Sequence, residues 1–593
     1  MPENPLTVAH VTHEAIEKVG GIGTVLEGLI TSPVYRARVK RSILVSPLFD
    51  RQPHGDAMRR LGHRATECLY SGPDALDPKG FGAILKPIEW AFGTPIVYGT
   101  ARLHAEVDHG RDGEAEVLLV DVSNPEARRL AEFKLLLQEK FGIDSRLYEY
   151  SWDFEEYCRL AAPAYYALCA LIPREAEPAA LISHEYMGMC TALLAAAEPP
   201  ERRRFRAYFH AHECSTARRI VEHHPGHDLA FYPAMRRATA LGKRVSDVFG
   251  DQSGYARHAL VSRAWALTAT LAVGDETANE MRFLSHEFDN ARVELCYNGV
   301  PASPLTMEEK KASRARVDRW ARAAFGFTPD YLFTHVARPV ISKGFWRDLL
   351  VCARMARPLA DRGKRALYIM LTCGAEPRSA DAANAMAREY GWPADHREGY
   401  PDISGPEGPL WDTVQVFNNP GRPGAGAITA AIVNQFGFSR ERLGDAAPPD
   451  LSLADLRRAA DVEFGQSIYE PFGIAQLEAL HAGAISVPTS ICGCVGFLRL
   501  ALRDAGMAES DSRCAIIADY TKDVPGDPLM LTQRERDEHE ERVAQTIATE
   551  ILRRLPNDDR DREAMLKEGQ SLALRMGWDR VCEDFFLPMI SKG

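Results

Sequence analysis

Along nearly its whole length the chain alternates short apolar runs with helical patterns, and this alternation constrains the fold more than any single motif. Runs at 6–11, 42–46, 95–99, 117–121, 180–183, 206–210, 269–273 and 293–297 read as buried strands. The series resumes at 331–335, 366–371, 414–417, 462–466, 485–488 and 514–519. Continuous apolar runs belong to strands covered on both faces, so parallel sheets flanked by helices follow. The series is too long for one sheet, and 593 residues exceed what one ordinary core holds. The expected fold is α/β with two doubly wound units. Their boundary is expected just after Tyr297-Asn298-Gly299-Val300-Pro301, where a charged segment at 307–324 interrupts the strands. Long loops are expected within 375–409 and 418–449, and charged helices over 521–575.

The formal net charge of −11 argues against a general nucleic-acid binder and gives no pull toward anionic membranes. Anions can still be held, in local basic pockets. Twelve cysteines, with no metal-type Cys-x-x-Cys pair, read as buried thiols of a reducing cytoplasm. The N-terminal MPENPLTVAHVTHEA reaches charged residues too early for a signal peptide. No apolar run approaches the roughly 18 residues that span a bilayer. A cytoplasmic protein without nucleic-acid or membrane partners is expected, with homo-oligomerisation left open.

The densest chemistry lies at 464–496, FGQSIYEPFGIAQLEALHAGAISVPTSICGCVG. Pro471 suits the first position of a helix, which would place Glu470 at the helix mouth. Glu478, eight positions on and about 80° round, could then share a cleft with it. Two other segments follow strand ends. Lys18-Val19-Gly20-Gly21-Ile22-Gly23 can bring backbone N–H groups, a helix dipole and a Lys to a phosphate. Arg338 and Lys343, in Arg338-Pro-Val-Ile-Ser-Lys343-Gly344, suit a diphosphate. The histidine-rich stretch His210-Ala-His212-Glu213, followed by Arg218, Arg219, His223, His224 and His227, leaves two readings open. It could hold a metal, as in metal-dependent hydrolases, or set one neutral histidine beside a sugar.

Taken in order, these segments resemble the glycogen and starch synthases, retaining glycosyltransferases of the GT-B fold. KVGGIG is similar to the family's K-V-G-G donor loop, and Ser183-His184-Glu185-Tyr186-Met187-Gly188 to its H-E-W segment. His212 matches a strand-end histidine close to the transferred glucose. Asn298-Gly299-Val300 resembles the N-G-[LIV] linker, and Ile468-Tyr469-Glu470-Pro471-Phe472-Gly473 the Y-E-P-x-G motif, with Glu478 completing E-x7-E. The loop from Thr489 to Leu498 and the second glutamate are closer to the animal and fungal type, which implies UDP-glucose. The Arg338-to-Lys343 spacing of five is the bacterial one, which implies ADP-glucose. UDP-glucose is favoured.

The resemblance implies two Rossmann-like domains facing a central cleft. An acceptor-side domain would cover 1–305 and a nucleotide-sugar domain 306–574, with a terminal helix at 575–593 packing back on the first. It implies transfer of glucose from a nucleoside-diphosphate glucose to the non-reducing end of an α-1,4-glucan, with no metal or other cofactor. Glu470, His212, Arg338 and Lys343 would be catalytic. Lys18, Gly20, Gly21, Glu478, Gly493, Cys494 and Val495 would hold the donor, and Glu185 and Arg218 the sugar or acceptor. The alternatives are a retaining transferase with another acceptor, and a metal-dependent hydrolase built on His210 and His212. The arginines between Arg534 and Arg542 read as a solvated helix, or faintly as an allosteric anion site.

Overall fold

The computed structural model describes residues 5–16, 20–50, 56–105, 111–176, 178–300, 303–372, 379–390, 407–434 and 437–591. The chain divides into two compact units. The first comprises Met1–Arg219, Met235–Gly299 and Trp578–Gly593, and the second Ile220–Ala234 and Val300–Gly577.

The first unit is built on one sheet of β1 (Leu6–Val11), β2 (Val39–Pro47), β3 (Ala65–Ser71), β4 (Ile96–Ala105), β5 (Arg111–Val120), β6 (Ala179–His184), β7 (Phe205–Ala211), β8 (Ala269–Ala272) and β9 (Val293–Leu295). Its order is β3-β4-β5-β2-β1-β6-β7-β8-β9. From β5 through β9 every pairing is parallel, while β4 runs antiparallel to both β3 and β5. The central strands β1, β6 and β7 are buried nearly end to end, as their mainly apolar sequences favour.

The C-terminal segment belongs to this unit, and two glycines show how it docks. A Cβ at Gly28 would lie 2.0 Å from Cε2 of Trp578, and one at Gly299 would lie 2.4 Å from its Cδ2. The indole is clamped between two bare backbones. Asp579 adds hydrogen bonds from Ser32 Oγ (2.8 Å) and Arg111 Nη1 (2.9 Å).

The second unit carries a fully parallel sheet of β10 (Tyr331–Val336), β11 (Ala366–Leu371), β12 (Ile428–Val433), β13 (Val462–Gly465) and β14 (Ile485–Pro488), ordered β12-β11-β10-β13-β14. The stretch Ile220–Ala234 belongs to this unit although its sequence neighbours belong to the other. A fully buried ion-pair cluster explains the attachment. Arg347 donates to both carboxylate oxygens of Asp228 (2.9 and 2.7 Å) and to Oε1 of Glu540 (2.9 and 2.7 Å).

Four expectations change. Residues 414–417 lie in the helix Glu407–Asn418, because Leu410, Val414 and Phe417 recur at helical spacing, and the short apolar run is one face of that pattern. Residues 514–519 make only the isolated bridges Ser486↔Ala515 and Thr489↔Ala518. The strands at Ala65–Ser71 and Ile428–Val433 were not foreseen, the second lying where a long loop was expected. Of the other expected loop, 375–409, residues 375–378 and 391–406 lie outside the described residues, and Ala380–Tyr390 between them is a helix. Among the described residues no helix is long and apolar enough to cross a membrane.

Candidate functional site

The expected site residues fall into two groups, one in each unit, both at the C-terminal ends of parallel strands, where α/β sheets place their ligands.

In the first unit, β6 and β7 pair in the register His184↔His210. His212 follows the last strand residue, and a tight bend in which its N–H donates to His210 O (3.1 Å) brings its ring against that of His210. Three imidazoles therefore meet. Nδ1 of His184 lies 2.8 Å from Nε2 of His212, and the rings of His210 and His212 have centroids 4.2 Å apart. The chain of hydrogen bonds continues inward, from His184 Nε2 to His10 Nδ1 (2.9 Å), from His10 Nε2 to Tyr35 Oη (3.2 Å), and from Tyr35 Oη to Ser42 Oγ (2.9 Å). Burial holds all four histidines neutral. It pulls His10 and His210 down to about 3, and His184 and His212 well below the usual imidazole value, with neighbouring rings adding to the effect at His10, His184 and His212. The ligand nitrogens of His184, His210 and His212 all lie within 4.8 Å of one another, so these residues could hold a metal ion.

Glu185 adjoins this group in a strained conformation, with φ of 58° at the first residue of the helix Glu185–Ala197. The helix packs close to the strand ends, since a Cβ at Gly188 would sit 2.6 Å from Cα of Ser183. Oε1 of Glu185 accepts the Glu213 N–H at 2.6 Å, while Oε2 is buried without a hydrogen-bond partner. Burial, together with the nearby Glu213, raises its pKa well above the ordinary carboxylate value. Glu213 in turn accepts from Arg218 Nη1 at 2.8 Å. Glu185, His212 and Arg218 are thus brought together through Glu213. His223, His224 and His227 are not part of the cluster; Ile220–Ala234 counts with the second unit, where His227 Nδ1 donates to Val221 O at 2.9 Å.

The glycine-rich loop behaves differently from expectation. Lys18 lies outside the described residues. The N–H groups of Gly20 and Gly23 both donate to Oε2 of Glu14, at 2.8 Å each, so a carboxylate of the protein itself occupies the mouth of the helix Gly21–Thr31. Sequence reasoning missed Glu14. Its signal was an acid four residues before Lys18, with nothing local to show that it folds back.

In the second unit, the loop after β10 carries Arg338 and Lys343. The Arg338 side chain is exposed, with no hydrogen-bond or ion-pair partner among the described residues. Lys343 Nζ lies 2.6 Å from Oε2 of Glu470. The loop is pinned to the segment bearing Glu470, since Ser342 O accepts from Ile468 N (2.9 Å) and Tyr469 N (3.3 Å). Gly344, at φ 63°, is required here, because a Cβ would meet Gln466 O at 2.2 Å. Beneath the loop, buried Asp348 accepts from His335 Nδ1 (2.6 Å), Tyr368 Oη (2.7 Å) and Gln466 Nε2 (2.9 Å), tying the loop's helix to three neighbouring segments.

Glu470 does not stand at a helix mouth. Gly473 adopts φ 89° and the helix runs Ile474–Glu478, three residues later than Pro471 suggested. The two glutamates consequently take different cations. Glu478 Oε2 pairs with Arg457 Nη2 at 2.7 Å, and Arg457 Nη1 reaches the fully buried Glu463 at 2.9 Å. Arg457 was missed, since nothing in the local sequence links it to either carboxylate.

Cys494 and Val495 form the first turn of the helix Cys494–Asp504, with Gly493 just before it, where a loop was expected. The N–H groups of Gly493, Cys494 and Val495 donate to Glu470 O (3.1 Å), Phe472 O (2.9 Å) and Cys492 O (3.0 Å). This segment therefore supports Glu470 directly. The arginines at 534–542 each have a partner: Arg534 with Glu538 (2.8 Å), Arg536 with Asp537 (3.0 Å) and Arg542 with His539 (3.3 Å).

No protein-family model matches the chain, and no curated protein matches it. Among solved structures, the chain is similar to the catalytic domain of starch synthase IV from Arabidopsis thaliana bound to ADP and acarbose. The TM-score is 0.51 at 12% identity, over 99% of this chain and 100% of that one. Sucrose-phosphate synthase from Thermosynechococcus elongatus aligns with a TM-score of 0.46 at 13% identity, over 98% of this chain and 96% of that one. The likeness to the starch synthase domain defines the fold, which is GT-B.

Proposed function

We propose that the protein is a retaining glucosyltransferase that moves glucose from a nucleoside-diphosphate glucose, UDP-glucose in preference to ADP-glucose, to the non-reducing end of an α-1,4-glucan. The observation that carries this reading is the second unit's arrangement of exposed Arg338 with Lys343 held 2.6 Å from Glu470. A diphosphate leaving group needs cations aimed at the charge it develops, and in many enzymes such preorganised charge supplies most of the rate enhancement. Arg338 and Lys343 supply it, so transfer runs without a metal cofactor. Glu470, already desolvated beside Lys343, accepts hydrogen bonds from glucose hydroxyls, and Glu478, one oxygen held by Arg457, offers the other to the ribose.

In the first unit, His212 faces the sugar and Glu185 and Arg218 the acceptor. Glu185, one oxygen fixed by the Glu213 N–H, has its second oxygen left to bond an acceptor hydroxyl. The protein acts where cytoplasmic sugar nucleotides are available. A second reading, metal-dependent hydrolysis, is favoured by the closeness of His184, His210 and His212.

Nucleotide release from UDP-glucose and ADP-glucose, with and without glycogen and with chelator, separates the two. Primer-dependent, chelator-resistant release that Glu470→Ala abolishes supports transfer. Chelator-sensitive release without primer supports hydrolysis.

A further inference from the structure

The imidazoles of His184, His210 and His212 are more than a sugar-facing wall. Their nitrogens lie within 4.8 Å of one another in the first unit, and all three rings are neutral, with lone pairs to offer. Two of these nitrogens, Nδ1 of His184 and Nε2 of His212, are 2.8 Å apart and share a single proton. A tetrahedral ion with ordinary metal–nitrogen bonds needs them about 3.3 Å apart, so an opening of roughly 0.5 Å admits it. The third ring, His210, is 1% exposed, with a backbone group of Cys296 beside one of its nitrogens, and its ring packs on that of His212 at 4.2 Å between centroids.

An outer layer is already in place. Nε2 of His184 reaches His10, which reaches Tyr35 and then Ser42. Metal-binding histidines characteristically give their second nitrogen to such a partner, which fixes the tautomer that leaves the other nitrogen free to coordinate.

We propose that His184, His210 and His212 form a three-imidazole site for a divalent transition metal of the zinc, cobalt or nickel kind, entered from the partly exposed His212 side. Three nitrogen donors suit these ions over magnesium or calcium, which take oxygen. The proton lying between His184 and His212 moves to the far nitrogen of the ring that carries it, so both rings coordinate as neutral imidazoles and no proton is lost. The functional consequence rests on the glucosyltransferase reading: an ion bound here takes His212 from the sugar, so the metal is an inhibitor competing with the sugar nucleotide.

The test is titration of the metal-free full-length protein with Co2+, followed by visible absorption, with Zn2+ added afterward. A four-coordinate cobalt spectrum saturating at one ion per chain, and displaced by zinc, is expected. His210→Ala and His184→Asn, each checked for a native melting profile, should both weaken binding by at least about tenfold. His224→Ala, outside the cluster, should bind as the wild type does. Absence of the spectrum, or equal binding by wild type and both cluster variants, overturns the site. Cobalt binding at the cluster that leaves nucleotide release unaffected upholds the site and overturns the role given to His212, so the two failures are distinguishable.

Discussion

Replacing Arg457 by Met tests how burial divides one guanidinium between two carboxylates. Glu463 is fully buried and Glu478 is about one-third exposed at the side chain (30%). Among the described residues, removing the guanidinium leaves Glu463 with only the Thr334 hydroxyl and the Val336 N–H at 3.2 Å as donors. Breaking a buried pair by deleting one partner costs about 3–5 kcal/mol, whereas a solvent-screened pair is worth about 0–1 kcal/mol. Nearly all the loss should therefore come through Glu463. Arg457→Met with Glu463→Gln removes the stranded charge while keeping one acceptor oxygen, for either Val336 N–H or the Thr334 hydroxyl, and should recover most of the loss. Arg457→Met with Glu478→Gln should recover almost none. With two units a single unfolding midpoint is ill defined, so the measurement is hydrogen exchange at amides of β13, beside Glu463. A Glu463→Gln double variant no more protected than Arg457→Met alone would refute the reasoning.

Three further outcomes are expected. Gly28→Ala drives a methyl into an indole that Gly299 prevents from retreating, and should destabilise the first unit by about 1–3 kcal/mol and expose the C-terminal segment to protease; an unchanged melting profile would contradict the clamp. His258, its pKa pulled down to about 4 by burial and by Arg263, is neutral in the folded protein, whereas the unfolded chain binds a proton from about pH 6.5 downward. Its contribution is present above pH 6.5 and is lost as pH falls toward 4, by about 2–3 kcal/mol, so the stability difference between wild type and His258→Gln should shrink over that window in urea titrations. Lys343→Met removes the cation paired with Glu470 and should lower nucleotide release by roughly 10²–10³-fold while leaving the melting profile within a few degrees; full activity would remove Lys343 from the site.

Much of this was legible because it is local. The strands Leu6–Val11, Ala366–Leu371 and Ile485–Pro488 coincide to the residue with mainly apolar runs, since a strand covered on both faces carries few polar positions. Ala65–Ser71 escaped because it is an edge strand with exposed positions among its seven, and Ile428–Val433 because its two alanines carry little strand preference. The motif residues Arg338, Lys343 and Glu470 were readable, and so was their loop setting. Their partners were not. Glu14 folds back on its own loop, Arg457 reaches Glu478 across twenty-one positions, and His10 meets His184 across a separation of 174 residues. Such pairings depend on strand register and on turns such as that at Gly473, which a periodicity argument does not carry. That glycine also explains why the helical geometry relating Glu470 to Glu478 failed.

The most direct test of the account is the anomeric configuration of the product formed from carbon-13-labelled UDP-glucose and a glucan primer, read by NMR as the reaction proceeds. The account predicts an α-linked glucosyl residue at the non-reducing end, appearing one for one with released UDP in the presence of chelator. A β-linked product, or free glucose formed at the same rate with and without primer, would contradict it.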